Sequence, residues 1–269
     1  MPVEPPRPET DALMLDRTEQ SRVLVACQPK SGSTYLSGAL GAALDVPRRV
    51  LHDSAEVQEL SRRMMEPGLT AGFVGQSHIL PTKNAVRLLN EMEVSVVVLE
   101  RSIADCLVSL YDMYLERIES QQGVWKGEFI SQFGIFGPFF LEMSPENRLD
   151  YLIECAAPWY FKFTAGWRSE ALGLYRAPVF VRYEEFFHTP GRSLDTVLAA
   201  LGLARDARDR QMPSLETDAK SLRFNVGKVG RGAEILTPEQ QRRLWKMAEI
   251  QLSRTPVSIG HVIGLPEPG

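Results

Sequence analysis

The stretch Arg22-Val-Leu-Val-Ala-Cys27-Gln28-Pro29-Lys30-Ser31-Gly32-Ser33-Thr34-Tyr35 runs from an apolar strand through a lysine-bearing turn into a helix. Gly32 lets the main chain bend close to a ligand, the first N–H groups of the helix have no intrahelical acceptor, and the helix dipole favours negative charge there. Lys30 adds a mobile cation, and Ser31, Ser33 and Thr34 add hydroxyl donors. The segment therefore reads as a grip for a phosphate-type anion. It is not the ordinary nucleoside-triphosphate loop, in which a glycine stands well ahead of a Gly-Lys pair, because here the lysine precedes the only glycine of the turn. A plain turn is the competing reading, since Pro-Lys-Ser-Gly is also good loop chemistry.

A second buried strand, Val94-Ser-Val-Val-Val-Leu-Glu-Arg101, ends in an arginine, and Ser109 follows eight positions on, within a helix predicted from Ile103 to Ile118. A guanidinium at a strand's carboxyl end and a hydroxyl on the adjoining helix can converge on one phosphate, at the rim where open parallel sheets bind ligands. An ion pair of Arg101 with Asp105 is the bland alternative. Between these segments, Phe73-Val-Gly-Gln-Ser-His78-Ile-Leu-Pro81 reads as a short strand delivering a histidine. An imidazole at a strand end is a natural general base because it titrates near neutrality. A hydrogen-bonded structural histidine is the alternative there, and the reading given to His52, His188 and His261.

Strand signals near 22–27, 72–77, 94–100 and 178–182 alternate with helical patterns near 33–44, 54–65, 82–91, 103–119 and 191–202. That rhythm predicts a single α/β domain over residues 21–269, a parallel sheet covered by helices on both faces. Right-handed crossovers bring Lys30, His78 and Arg101 to one edge. A late helix is expected from Pro238 to Ser253, with Thr237 as its cap. Residues 1–20 read as a proline-rich, acidic, flexible lead-in. The segment 119–147 is the least regular and is rich in aromatics: Trp125, Phe129, Phe133, Phe136, Phe139 and Phe140. It is read as a lid over a hydrophobic or aromatic substrate, the alternative being rings that fill the core beneath a long loop. Trp159, Phe163 and Trp167, spaced by four, read as core packing on one helix.

With 269 residues and 44% hydrophobic content, the chain is long enough for a substantial core. A net charge of −4 argues against general nucleic-acid binding, so an anion site must be a local basic patch. Cys27, Cys106 and Cys155 lie far apart and the histidines are scattered, so neither a disulfide framework nor a metal site is expected. The first residues lack a signal-peptide apolar core and no segment approaches a membrane span; a cytoplasmic protein is expected, with no membrane or nucleic-acid partner and an oligomeric state that the sequence leaves open.

With these motifs in order, the chain resembles the PAPS-dependent sulfotransferases, in their cytosolic-type and bacterial branch; PAPS is 3'-phosphoadenosine 5'-phosphosulfate and PAP its desulfated form. Pro29-Lys-Ser-Gly-Ser-Thr34 is similar to the family's PKSGTT loop for the 5'-phosphosulfate, and Arg101 to Ser109 to its R-x-P-x-D-x-x-x-S motif for the 3'-phosphate. Ser77-His78-Ile-Leu-Pro81 resembles its T-H-L-P segment, Arg182-Tyr-Glu-Glu-Phe186 its Tyr-Glu-Asp-Leu strand end, and Asn225 to Gly232 its late R-K-G-x-x-G-D-W loop. Departures are Tyr35 for the tryptophan that stacks on adenine, Gln76 for a basic residue, Ile103 for proline, Asn225-Val226 for Arg-Lys and Arg231-Gly232 for Asp-Trp.

The resemblance implies a P-loop-like sulfotransferase fold and in-line transfer of a sulfuryl group from PAPS to a hydroxyl or amine of a small acceptor, with no metal required. It makes His78 the general base, Lys30 the cation at the bridging oxygen and Ser109 the residue that positions that lysine. Lys30, Ser31, Gly32, Ser33, Thr34, Tyr35, Arg101, Ser109, Gly227, Gly230 and Arg231 become the nucleotide contacts. The rival readings are a P-loop-type kinase, disfavoured by the misplaced lysine and the missing acidic magnesium ligand, and a catalytically silent nucleotide-binding or scaffold protein.

Overall fold

The computed structural model describes residues 21–54, 57–120, 129–203 and 228–269. The lead-in expected over 1–20, Trp125 and Gly227 lie outside the described residues. In chain order the elements are β1 (Arg22–Cys27), α1 (Ser33–Leu44), β2 (Arg48–Arg49), α2 (Arg62–Met65), β3 (Phe73–Ser77), α3 (Lys83–Glu91), β4 (Ser95–Glu100) and α4 (Ile103–Ser120). They continue with β5 (Phe129–Ser131), β6 (Gly134–Phe136), α5 (Pro138–Glu142), α6 (Pro145–Trp167), β7 (Val179–Arg182), α7 (Tyr183–Phe186), α8 (Pro190–Ala200), α9 (Arg231–Ile235), α10 (Pro238–Gln251) and α11 (Ile259–Ile263).

Five strands form one sheet in the order β2-β3-β1-β4-β7, every pairing parallel. The central strands β1 and β4 are apolar runs because both of their faces are covered. Val23, Val25 and Cys27 join Val97 and Leu99 on the face packed by α1 and α8. Leu24 and Ala26 join Val96, Val98, Phe163 and Trp167 on the other. The register sets Ala26 beside Ser77 and Cys27 beside Leu99. The residues that follow β1, β3 and β4 therefore emerge at one sheet edge. The chain runs from β1 to the edge strand β2, returns inward to β3, then crosses β1 to β4 and β7, so this edge lies at a reversal of strand order, the usual ligand site of open α/β sheets.

Two expectations are corrected. The helix expected over 54–65 is confined to Arg62–Met65. Ahead of it the chain folds back through a bridge between His52 and Leu60 and a hydrogen bond from the Ser61 N–H to the Leu51 carbonyl. The segment expected to be irregular contains, in its described part, the hairpin β5-β6 and the helix α5. Phe136 and Phe140 are fully buried and Phe133 nearly so, in one cluster with α4 and α6. Phe136 stacks on Tyr114 at 4.0 Å, and Phe133 on Tyr160 at 5.8 Å. These three rings belong to the core, so their apolar character carries no information about an acceptor.

Candidate functional site

The turn after β1 is held open by its backbone. Lys30 has φ 66° and Gly32 φ 81°, both left-handed. At Gly32 a side chain is excluded twice over, because a Cβ would also stand 2.7 Å from the Phe187 ring. Gly32 is the N-cap of α1 and no side chain caps that helix, so the N–H groups at its start have no side-chain cap acceptor. With α1 twelve residues long, the dipole adds positive potential at the same point. Ser31 turns inward, its hydroxyl donating to the Gln28 carbonyl. Thr34 is half-buried at the helix start. Tyr35 is buried, its ring 5.4 Å from that of Phe187 and 6.2 Å from that of Phe186.

Arg101 meets this turn from β4. Its Nη1 donates to the Lys30 carbonyl at 2.9 Å and its Nη2 to the Lys228 carbonyl at 3.1 Å. The guanidinium lies 4.2 Å over the Tyr183 ring and is almost wholly buried, and its Nε finds no acceptor. Asp105 stands 3.7 Å from Nη2, so the ion pair expected as the alternative exists, at longer range than either carbonyl contact. Asp105 itself accepts from the backbone N–H groups of Gly230 at 2.9 Å and Gly232 at 2.7 Å. Arg231 is paired with Asp112 at 2.8 Å. Ser109 is buried on α4, between Asp105 and Asp112 on one helix face.

His78 follows β3 with Nδ1 3.0 Å from the Cys27 carbonyl oxygen and 3.3 Å from the Cys27 thiol. A carbonyl oxygen can only accept, so Nδ1 carries the proton and Nε2 keeps the basic lone pair. Burial, against the hydrogen bond to Cys27, pushes the ring's pKa down from 6.5 to about 4, with the charges of His52 and Lys30 adding to the fall. Cys27 is no rival nucleophile, because burial lifts its pKa to about 12 and it stays a thiol. Gln76 donates from Nε2 to the Ser33 hydroxyl at 2.8 Å and is steadied by Ser37 at 3.3 Å.

Sequence reasoning missed the residues that lock these parts together. Gln28, buried at the end of β1, accepts the Arg101 N–H at 2.8 Å through Oε1 and donates to Thr164 at 3.4 Å. Its own carbonyl takes the Ser31 hydroxyl, so one side chain and its backbone tie the turn to β4 and α6. The Tyr160 hydroxyl donates to the Pro29 carbonyl at 3.0 Å, and the His78 N–H donates to Gln58 at 2.6 Å. A polar residue at the end of an apolar strand was the only signal for Gln28; Tyr160 and Gln58 had none.

Among the described residues no group of histidine, cysteine or carboxylate side chains is placed to hold a metal ion, and no helix is long and apolar enough to cross a membrane. No protein-family model matches the chain, and no curated protein matches it by sequence. Solved structures do. Mouse sulfotransferase SULT7A1 complexed with PAP is similar with a TM-score of 0.60 at 15% identity, over 94% of this chain and 95% of that one. Retinol dehydratase in a complex with retinol and PAP is similar with a TM-score of 0.53 at 13% identity, over 89% and 83% of the two chains. At such identities the likeness is one of architecture: the chain shares with these two structures a parallel sheet flanked by helices.

Proposed function

We propose that this chain is a PAPS-dependent sulfotransferase that moves a sulfuryl group to a hydroxyl or amine of a small acceptor. One observation carries the reading: the Arg101 guanidinium reaches the Lys30 carbonyl at 2.9 Å, so the two segments read as anion sites are parts of one site. The residues present fit a nucleotide with a phosphate at each end. The left-handed turn and the uncapped start of α1 suit the 5' end, while Arg101, whose buried Nε is without an acceptor, suits the 3'-phosphate. Bound PAPS would supply the transferable group, and no metal is needed in this reading.

In that arrangement His78 Nε2 takes the acceptor's proton while Nδ1–H stays on the Cys27 carbonyl. Lys30 stabilises the charge that grows on the leaving phosphate, an interaction stronger in the transition state than in the ground state. Gly32, Ser33 and Thr34 offer donors to the 5' end, Ser31 shapes their turn with its N–H and hydroxyl both on the Gln28 carbonyl, and Ser109, Gly230 and Arg231 are assigned to the 3' side. Gly227, assigned to the nucleotide by the resemblance, lies outside the described residues. The test is PAP formation from PAPS in the presence of EDTA with a panel of hydroxylated and amine acceptors, alongside thermal protection by PAP and by ATP. Turnover in EDTA with protection by PAP supports the proposal. Protection by ATP alone, with magnesium-dependent ATP consumption, overturns it in favour of a kinase.

A further inference from the structure

We propose that Asp105 is a positioning residue that seats the segment 228–232 against Arg101, and thereby sets preference for a nucleotide carrying a 3'-phosphate; this rests on the nucleotide reading above. Asp105 is buried, and its two oxygens are spent on two backbone N–H groups, Gly230 at 2.9 Å and Gly232 at 2.7 Å. Both belong to the start of α9, a five-residue helix with no side-chain cap of its own. A carboxylate from another element thus satisfies the donors that a helix start leaves over. Its own N–H is fixed by Ser102 Oγ at 3.3 Å, and that hydroxyl donates to the Ile263 carbonyl at 3.0 Å, so the acid is held from behind.

The fit beneath it is a backbone contact. A Cβ on Gly232 would stand 2.3 Å from the Ala104 Cβ and 2.6 Å from its carbonyl carbon. Arg231 closes the outer side on Asp112, and the seat brings the Lys228 carbonyl to Arg101 Nη2. Asp105 is therefore more than a counter-ion. A counter-ion would aim its oxygens at the guanidinium, whereas here the nearer partners are the two amides and the guanidinium stands off at 3.7 Å.

The two roles predict opposite results for Asp105→Asn. Removing a negative charge beside Arg101 tightens anion binding if the acid only balances the guanidinium. If it seats the late segment, one of its oxygens becomes an amide nitrogen facing an N–H, and binding of PAP weakens on the order of tenfold. Adenosine 5'-monophosphate, which lacks the 3'-phosphate, then changes by less than about twofold; a general loss of structure would move both ligands. Calorimetry with these two nucleotides on the unaltered chain comes first. Failure of that chain to prefer PAP removes the nucleotide reading and this proposal with it. Preference in the unaltered chain, with PAP bound as tightly or more tightly by Asp105→Asn, overturns the positioning role alone. Gly232→Ala, which touches no charge, guards against a variant that does not fold: it gives the same selective loss, and unchanged PAP affinity in it also overturns the proposal.

Discussion

A histidine that stays neutral far below its usual range leaves a signature in stability as well as in catalysis. His78 has an ordinary value of 6.5 and a folded-state value of about 4. The unfolded chain thus binds the extra proton first as pH falls, and the group contributes stability that is complete above about pH 6.5 and lost on the way down to about pH 4. Between about pH 7 and about pH 5 those two values correspond to about 2 kcal/mol. His78→Gln keeps a donor for the Cys27 carbonyl and has nothing to titrate. Urea unfolding at the two pH values should therefore show wild type losing about 2 kcal/mol more than the variant. The same depressed pKa places the acid limb of kcat/KM near pH 4, because that profile reports the free enzyme. Equal losses in the two proteins, or an acid limb near the ordinary imidazole value, would show that the ring titrates freely and refute the assigned tautomer and environment.

Replacing Lys30 with Ala should lower kcat on the order of 10²- to 10³-fold by analogy with other preorganised charge contacts. Because both residues carry the same Cβ in the same left-handed backbone, the unfolding midpoint should barely move, and retained turnover would take the lysine out of the reaction. Phe136→Ala removes a fully buried ring stacked 4.0 Å from Tyr114, and should cost about 3–5 kcal/mol in denaturant unfolding. A loss under about 1 kcal/mol with a raised acceptor KM would return the hairpin to the role of a lid.

The parts of the fold legible in the sequence were those where local preference and burial agree. Four of the five sheet strands are apolar runs ended by turn residues, and each falls within a residue or two of its expected place. Strand β2 is only Arg48–Arg49 and offers no pattern to read. The helix expected over 54–65 shows propensity losing to tertiary context: Val57 lies exposed, Gln58 reaches the His78 N–H, and Leu60 turns into the core instead. The aromatic segment misled for a related reason. Rings at 133, 136 and 140 have the i, i+3, i+7 spacing of one helix face, yet they pass from a hairpin into a short helix. Their common direction exists only after both have packed on α4 and α6. At the candidate site, the meeting of Lys30 and Arg101 at one sheet edge was legible because both follow apolar strands of the parallel sheet. The couplings through Gln28 and Asp105 were not, since their partners are backbone groups that any residue supplies.

If the proposed function holds, the partners of Arg101 also account for one residue bracing the fold and binding an anion. A buried guanidinium matched by a dedicated carboxylate would have much of its charge cancelled, and binding a phosphate would first require breaking that pair. Here both Nη groups donate to neutral carbonyls, Lys30 and Lys228, which fix its position without neutralising it. Among the described residues, the one carboxylate within 4 Å is engaged by two amides. Its field is shared with those donors, so the guanidinium keeps excess positive charge in a site of low polarity, where charge acts most strongly. Tyr183 covers one face of the guanidinium plane at 4.2 Å and adds attraction without adding a countercharge. The unpartnered Nε is the cost of this arrangement, a buried donor that an incoming phosphate oxygen would satisfy while the carbonyl contacts continue to hold the side chain in place.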